Sequence, residues 1–494
     1  MRQAVPLVLQ QDLSTTRRTV ATIVSAQSDA YQIAAGAVLQ TTVEIRDERL
    51  RIQGTLTDLS TQRALDVFVL NGSSRTGLVA ALNELAGRID QNSGSFSTKK
   101  ESALSAYVQA VTSPNAESRI PDLEKAIGLD PGFGLGYLTL AQAQAQAGSP
   151  DLTDTIANAN SRRARFIPLD QARLDSFNKR ASHAPLAEQA KATQALADLA
   201  PNDVETLTLL GSQRFLLADA AAGERLLRRA LSLNPENLSV RQQLALGFLQ
   251  SRQFDAVEKT LAGLENTPAL FPELAVCALL KGDSARANTI YSRYVGVLQS
   301  SNDPAAMLSQ ANGIAITQTP AKAAEFLKQS KFPTTDLQSL ALSQAAIWSL
   351  MAGDFPGAKA SAAAALGYAR APIAKAFAIA AVLDSKSDSP VEQFRAQVNA
   401  APIDAGAKNL ILAYGLFFQK HYAESAEIWK SIVKESGDSD LRNRAMLAGA
   451  LDQSGRPGEA EALHVQPFVP NLTGGDEFAV AAFQEMRRLL KLTL

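Results

Sequence analysis

The sequence predicts a mainly α protein, in which an array of helix-turn-helix repeats follows a small α+β domain. One observation is a pair of matching helix ends. The segments "LEKAIGLDP" (123–131) and "LLRRALSLNP" (226–235) align at Pro131 and Pro235, which lie 104 residues apart. The other is a change of pattern near residue 100. Before it, apolar residues alternate as in β-strands, and after it the chain is rich in Ala and Leu.

Size, charge and cysteine content exclude several classes of protein. The chain has 494 residues, more than one hydrophobic core usually serves, and its 48 basic and 49 acidic residues leave a net charge of −1. We therefore expect no nucleic-acid partner. The single cysteine, Cys277, excludes an intramolecular disulfide and a cysteine-based zinc site. Because Cys277 lies in the apolar run "ELAVCALL", we expect it to be buried.

The first 91 residues carry the β-type pattern. Leu50, Ile52 and Leu56 fall on one face at a period of two, which is typical of a half-buried strand. The charged segment "RDER" before Leu50 predicts a turn. The next strand alternates in the same way, through Leu65, Val67 and Val69.

A helix with a matching apolar stripe follows these strands. We expect Leu82 and Leu85 of this helix to pack against Ile52 and Leu56. The region is therefore predicted to be a small α+β layer. Its expected elements are a helix at 6–13, a strand at 18–24, strands at 38–45, 50–59 and 63–70, and a helix at 76–89.

The domain boundaries follow from composition. The polar, Ser-rich stretch at 92–100 is predicted to be a linker, because strand-type alternation disappears after it. The repeat array is expected to cover 101–465, and 466–494 are expected to form a carboxy-terminal cap.

The repeat period explains why two helices end in the same way. Three periods of 34 residues come to about 102, close to the observed spacing. Pro168 and Pro201 lie near the two intermediate positions, and Pro268 lies near the next position after Pro235. A residue before proline is disfavoured in the α-helical region, so each proline ends a helix. Gly211 and Ala230 are small, which indicates close contact between neighbouring helices.

The repeats share a short core, in which a glycine precedes an aromatic residue or proline and then Ala or Ser. Gly353, Phe355 and Ala358 are one example. Over about 101–465 the chain resembles the tetratricopeptide repeat family of bacterial type. This resemblance implies an α-solenoid of ten or eleven units that binds proteins or peptides on its surface. A generic antiparallel helical bundle is the alternative.

The first domain resembles the amino-terminal domain of the periplasmic TolB family. The matching positions are Gly36, Val38, Leu56, Asp58 and Thr61. The family begins with an earlier strand that this chain lacks, so we expect the sheet to lack its first strand or the protein to extend upstream. The resemblance favours the bacterial periplasm or cell envelope over the cytoplasm. It leaves membrane association to a missing upstream segment.

No arrangement of residues predicts an enzyme. His183, His421 and His464 lack partners at metal-binding spacing, so we expect no metal, no cofactor and no catalytic site. We also expect no small-molecule substrate.

The predicted function is therefore that of a non-enzymatic scaffold, which binds another protein or peptide through the repeat surface. The alternatives are a self-assembling structural subunit of a filament or envelope assembly, or the accessory tail of a larger regulator. The residues expected to contact the partner are Arg214, Phe215, Arg241 and Phe248.

Overall fold

The computed structural model describes residues 3–33, 35–47, 49–73, 77–147, 149–182, 184–251, 253–281, 283–299, 304–436 and 441–462. The predicted cap at 466–494 lies outside these residues, as do His183 and His464. The chain divides into two compact units, 1–243 and 244–494. The predicted fold class is confirmed: the chain is mainly α, with tetratricopeptide-like helix-turn-helix repeats after a small α+β layer.

The α+β layer contains a three-stranded antiparallel sheet of order β1-β2-β3. In this sheet Ile52 of the central strand lies between Val43 and Leu70 of its neighbours. Leu82 and Leu85 are fully buried in one core with Ile52, and Leu56 packs against the same core, as predicted. The elements are α1 (Ala4–Leu13), α2 (Gln27–Gln32), β1 (Ala37–Arg46), β2 (Arg49–Asp58), β3 (Ala64–Ser73) and α3 (Leu78–Ile89).

The orientation of β3 differs from the prediction. Leu65, Val67 and Val69 share a face, but that face points to solvent, and the side chains are 57%, 52% and 40% exposed. The core side of β3 is formed by Phe68 and Leu70. Phe68 pairs with Gly54 of β2, and Phe68 and Leu70 pack into the core that also contains Ile52 and Leu85.

The predicted strand at 18–24 is absent, and this segment runs without pairing to the sheet. Side-chain hydrogen bonds hold its start instead. The Thr19 hydroxyl donates to the carboxylate of Asp90 at 3.1 Å, and the side-chain amide of Asn202 donates to the Thr16 carbonyl at 3.0 Å. The β-branched residues of 18–24 therefore do not form a strand here.

The predicted linker at 92–100 packs into the protein. Phe96 is 3% exposed, and its ring centroid lies 5.9 Å from that of Phe133. The hydroxyl of Ser97 donates to the buried carboxylate of Asp170, and that of Thr98 donates to Asp130. The core of the α+β layer is therefore continuous with that of the first repeats across this stretch.

The carboxylate of Asp170 joins three segments. Besides the Ser97 hydroxyl, it accepts the backbone N–H of Leu135 at 3.0 Å and the Arg173 guanidinium at 3.4 Å. Burial raises the pKa of Asp170, while these donors act to lower it. Asp170 thus fixes the 92–100 stretch against two repeat helices.

Consecutive helices after residue 100 form helix-turn-helix pairs, including the stretches 134–200 and 270–330, where the sequence resemblance is weak. Pro131 and Pro235 lie in the turns after α5 and α11, where the repeated motif predicts that the helices end. Single 3-10 turns occupy Arg163–Arg165 and Pro268–Leu270. The pairs are α4 (Glu101–Val111) with α5 (Ala116–Leu129), α6 (Gly134–Ala147) with α7 (Leu152–Arg162), α8 (Pro168–Ala181) with α9 (Leu186–Leu199), α10 (Val204–Leu216) with α11 (Ala220–Leu233), α12 (Leu238–Gln250) with α13 (Phe254–Leu261), α14 (Phe271–Leu280) with α15 (Ser284–Gln299), α16 (Pro304–Thr317) with α17 (Pro320–Gln329), α18 (Thr335–Met351) with α19 (Phe355–Tyr368), α20 (Pro372–Asp384) with α21 (Val391–Ala400), α22 (Ala405–Phe418) with α23 (Tyr422–Ser436), and α24 (Leu441–Gln453) with α25 (Pro457–Ala462).

Small residues set the distance between paired helices, as the sequence predicts for Gly211 and Ala230. Ala230 is fully buried. A Cβ atom on Gly211 would lie 2.7 Å from Cγ of Leu227 and 3.2 Å from the carbonyl oxygen of Gly223. Helices α10 and α11 therefore approach too closely at Gly211 for any side chain to fit without displacement.

We expect Gly211→Ala to destabilise the protein by roughly 1–2 kcal/mol, because the cost of overpacking against Leu227 exceeds the helix propensity that alanine gains. The matched control is Gly128→Ala in α5, where a Cβ atom meets nothing within 4 Å. That control should be neutral or stabilising by up to about 1 kcal/mol. Urea unfolding midpoints test both, and equal shifts would contradict the close contact.

A second prediction concerns Asp12, in the last turn of α1. Its side chain is fully buried, and neither carboxylate oxygen has a hydrogen-bond partner among the described residues. Burial raises the pKa of Asp12 from 3.8 to about 8. The folded protein therefore keeps a proton that the unfolded chain releases, so this group costs stability progressively as the pH rises from about 4 to about 8.

The variant Asp12→Asn removes this titration while keeping the side-chain size. We expect it to be more stable than the wild type, by a margin that grows between about pH 5 and pH 9. Free energies of unfolding measured at both pH values give the comparison. A margin that stays constant with pH would mean that Asp12 is not buried as described.

Candidate partner-binding groove

A groove of about 410 Å³ lies between α9 and α10, and one of the predicted partner-binding residues, Arg214, is part of its wall. Helix α9 contributes most of the lining, through positions three and four residues apart that share one helix face. Leu217 lies at one end, just after α10. The lining residues are Ala187, Ala190, Lys191, Gln194, Ala195, Asp198, Arg214 and Leu217.

The groove exists because three of the α9 residues that line it are alanines. Ala190 is buried and packs in one cluster with Ala197 and Leu210, which joins α9 to α10. Ala187 and Ala195 are exposed and lack the atoms that would fill the space beside α10. Residues with longer side chains at these positions would close the groove.

The polar groups of the groove form a short chain of hydrogen bonds. Arg214 donates from Nη2 to Oε1 of Gln194 at 3.3 Å, and Gln194 donates from Nε2 to Oδ1 of Asp198 at 2.9 Å. Lys191 is exposed, and it makes no hydrogen bond within the described part of the chain. The residues that line the groove include two cationic groups and one carboxylate, which favours an acidic ligand.

The structure does not bring the other three predicted residues to this groove. Phe215 and Phe248 are 5% and 1% exposed, so neither offers a surface to a partner. This corrects the prediction for both. The ring of Phe215 packs so close to Gly223 that a Cβ atom there would lie 2.5 Å from the ring.

Arg241 has a structural role in the repeat. Its guanidinium donates from Nε and Nη2 to the carbonyl oxygen of Pro235, at 3.2 and 2.9 Å. These two hydrogen bonds therefore stabilise the turn between α11 and α12. Lys191 and Gln194 are not among the predicted residues, although the alanines at 187, 190 and 195 indicated an unfilled face of α9.

Other chemical groups give no second site within the described ranges. No cluster of three or more His, Cys, Asp or Glu residues there could hold a metal ion. Cys277 is buried as predicted, and burial raises the pKa of its thiol to about 11. Nδ1 of His421 lies 3.0 Å from Oε1 of Glu424 on the surface.

No described helix is both long and apolar enough to cross a bilayer.

Comparisons with known proteins do not identify a function. No protein-family model and no curated protein sequence matches the chain. The crystal structure of yeast Tom70 is similar at 16% identity, over 60% of this chain and 68% of that one, with a TM-score of 0.41. The structure of the human IFIT1 dimer with PPP-AAAA is similar at 14% identity, over 73% and 88%, with a TM-score of 0.35. A tetratricopeptide repeat protein from Parabacteroides merdae has 14% identity, over 56% and 98%, and a TM-score of 0.30.

Proposed function

We propose that the chain is a non-enzymatic scaffold that binds another protein through the groove between α9 and α10. The observation that carries this proposal is the combination of an alanine-lined floor with two cations, Lys191 and Arg214, on its walls. A concave, partly apolar site with a few directed polar groups is what a peptide segment needs for specific binding.

The groove favours a segment that combines a small or medium apolar side chain with an acidic one. An apolar side chain would replace water over Ala187, Ala190 and Ala195. A carboxylate would accept hydrogen bonds from the guanidinium of Arg214 and from the ammonium of Lys191. Asp198 would repel a second carboxylate placed at its end of the groove, so the partner's charge should be confined to one side.

The proposal is tested with peptides selected from a random library against the purified full chain. We expect the selected peptides to be enriched in acidic residues and to bind Arg214→Glu at least about tenfold more weakly, since reversal of the charge turns attraction into repulsion. Fluorescence anisotropy gives the dissociation constants. Higher salt should weaken binding to the wild type, because part of the attraction is between exposed charges.

The matched control is Lys125→Glu, which reverses an exposed charge on α5 outside the groove lining. It should leave peptide affinity unchanged, whereas Lys191→Glu should weaken binding as Arg214→Glu does. Selected peptides that bind Arg214→Glu and the wild type equally well would contradict the proposed site. Location in a bacterial envelope remains a prediction that rests on the TolB resemblance.

A further inference from the structure

The charged residues of the groove between α9 and α10 lie in a fixed order along its length. Lys191 and Asp198 both line the groove from α9, and seven residues of helix separate them by about 10 Å along the helix axis. The guanidinium of Arg214 donates to Gln194, which lies between these two positions. The cationic groups therefore occupy the stretch from Lys191 to Gln194, and the carboxylate lies beyond it.

The apolar part of the lining marks the other end of the groove. Ala187 and Ala190 lie toward the amino-terminal end of α9, away from Asp198. Leu217 belongs to the same end, because α10 runs back along α9 and Leu217 follows Arg214 by three residues. Its side chain packs against the cluster that contains Ala190. From this end the groove is therefore first apolar, then cationic, then anionic.

Both charges on α9 can act on a ligand. Lys191 and Asp198 are exposed. Oδ1 of Asp198 accepts a hydrogen bond from Nε2 of Gln194 at 2.9 Å, but the amide is neutral, so this bond does not neutralise the carboxylate. Glu188 lies one helical turn before Lys191, but its carboxylate forms an ion pair with Lys179 at 2.5 Å. The groove therefore presents charges of opposite sign at two separate places.

We propose that the groove selects a segment in which an apolar, an acidic and a basic side chain follow one another in this order, starting at the end formed by Ala187. This inference rests on the proposed function and gives Asp198 an attractive role, because its carboxylate would bind the ligand's cation. The acidic side chain would lie between Lys191 and Arg214. Asp198 is then a specificity-determining residue for the order of the ligand's charges.

The length of the groove fits an extended segment. From Ala187 to Asp198 the lining covers eleven residues of helix, which is about 16 Å. In an extended peptide, alternate side chains point to the same side and are about 6.6 Å apart, so three of them span about 13 Å. The favoured ligand therefore carries its apolar, acidic and basic side chains at three alternate positions. The exchanged order would place a base against Lys191 and an acid against Asp198, and both contacts are repulsive.

The first test compares two peptides of the same composition, with acetylated and amidated ends and serine at all other positions. One carries leucine, glutamate and lysine at alternate positions in that order, and the other exchanges glutamate and lysine. The order counted from the leucine does not depend on the direction in which a peptide lies. We expect the full chain to bind the first peptide at least about tenfold more tightly, as measured by fluorescence anisotropy.

The second test exchanges the two charges of α9 in the double variant Lys191→Glu/Asp198→Lys, which keeps the net charge. We expect this variant to bind the second peptide more tightly than the first, because its anionic position now follows the apolar end. The matched control is Glu124→Lys/Lys125→Glu, which exchanges two exposed charges on α5 outside the groove lining. The control should keep the preference of the wild type, and circular dichroism should show that both variants are folded.

The outcomes separate this inference from the function on which it rests. A wild type that binds both peptides equally or binds neither would overturn the inference, as would a charge-exchanged variant that keeps the preference of the wild type. If Arg214→Glu still weakens binding of the library-selected peptides in those cases, the groove remains the binding site and only the order of charges is wrong. Library-selected peptides that bind Arg214→Glu and the wild type equally well would instead count against the proposed function itself.

Discussion

The buried carboxylate of Asp170 is the interaction on which the first unit of the structure depends. It accepts hydrogen bonds from the Ser97 hydroxyl, the Leu135 backbone N–H and the Arg173 guanidinium. These bonds join the 92–100 stretch to helices of two repeats. A buried carboxylate is costly unless donors surround it, and removal of one donor would leave charge without compensation. The position of the α+β layer on the repeats is thus specified by hydrogen bonds as well as by apolar contact.

Residue size determines both the packing and the groove. Where a small residue faces a large one, as Gly211 faces Leu227, the helices approach closely and the contact is filled. Where small residues face solvent beside a neighbouring helix, as Ala187 and Ala195 do, the same small size leaves a space. The repeat fold therefore needs no special loop or insertion to form a groove, because a few alanines on one helix face are sufficient.

The hydrophobic periodicity of the sequence predicted where helices and strands lie better than it predicted which of their side chains are buried. The proline-ended helices and the stripe at Leu82 and Leu85 follow from local rules, and the structure has them. A period of two shows which residues of β3 share a face, but tertiary packing decides that Phe68 and Leu70, rather than Val67 and Val69, point into the core. Likewise, the burial of Phe215 depends on Gly223 of another helix, a contact that no local pattern reveals.

The shared core of the α+β layer and the first repeat has a consequence for modularity. Leu104 and Tyr107 of α4 lie in one cluster with Val8 of α1 and with Phe96. Repeat arrays need a terminal cap with a polar outer face, because the end unit otherwise bares the surface that its missing neighbour would cover. Here the α+β layer acts as that cap. Removal of either the layer or the first repeat would expose apolar side chains of this shared core. Gain or loss of a whole repeat should therefore destabilise the protein less further along the chain than at this end.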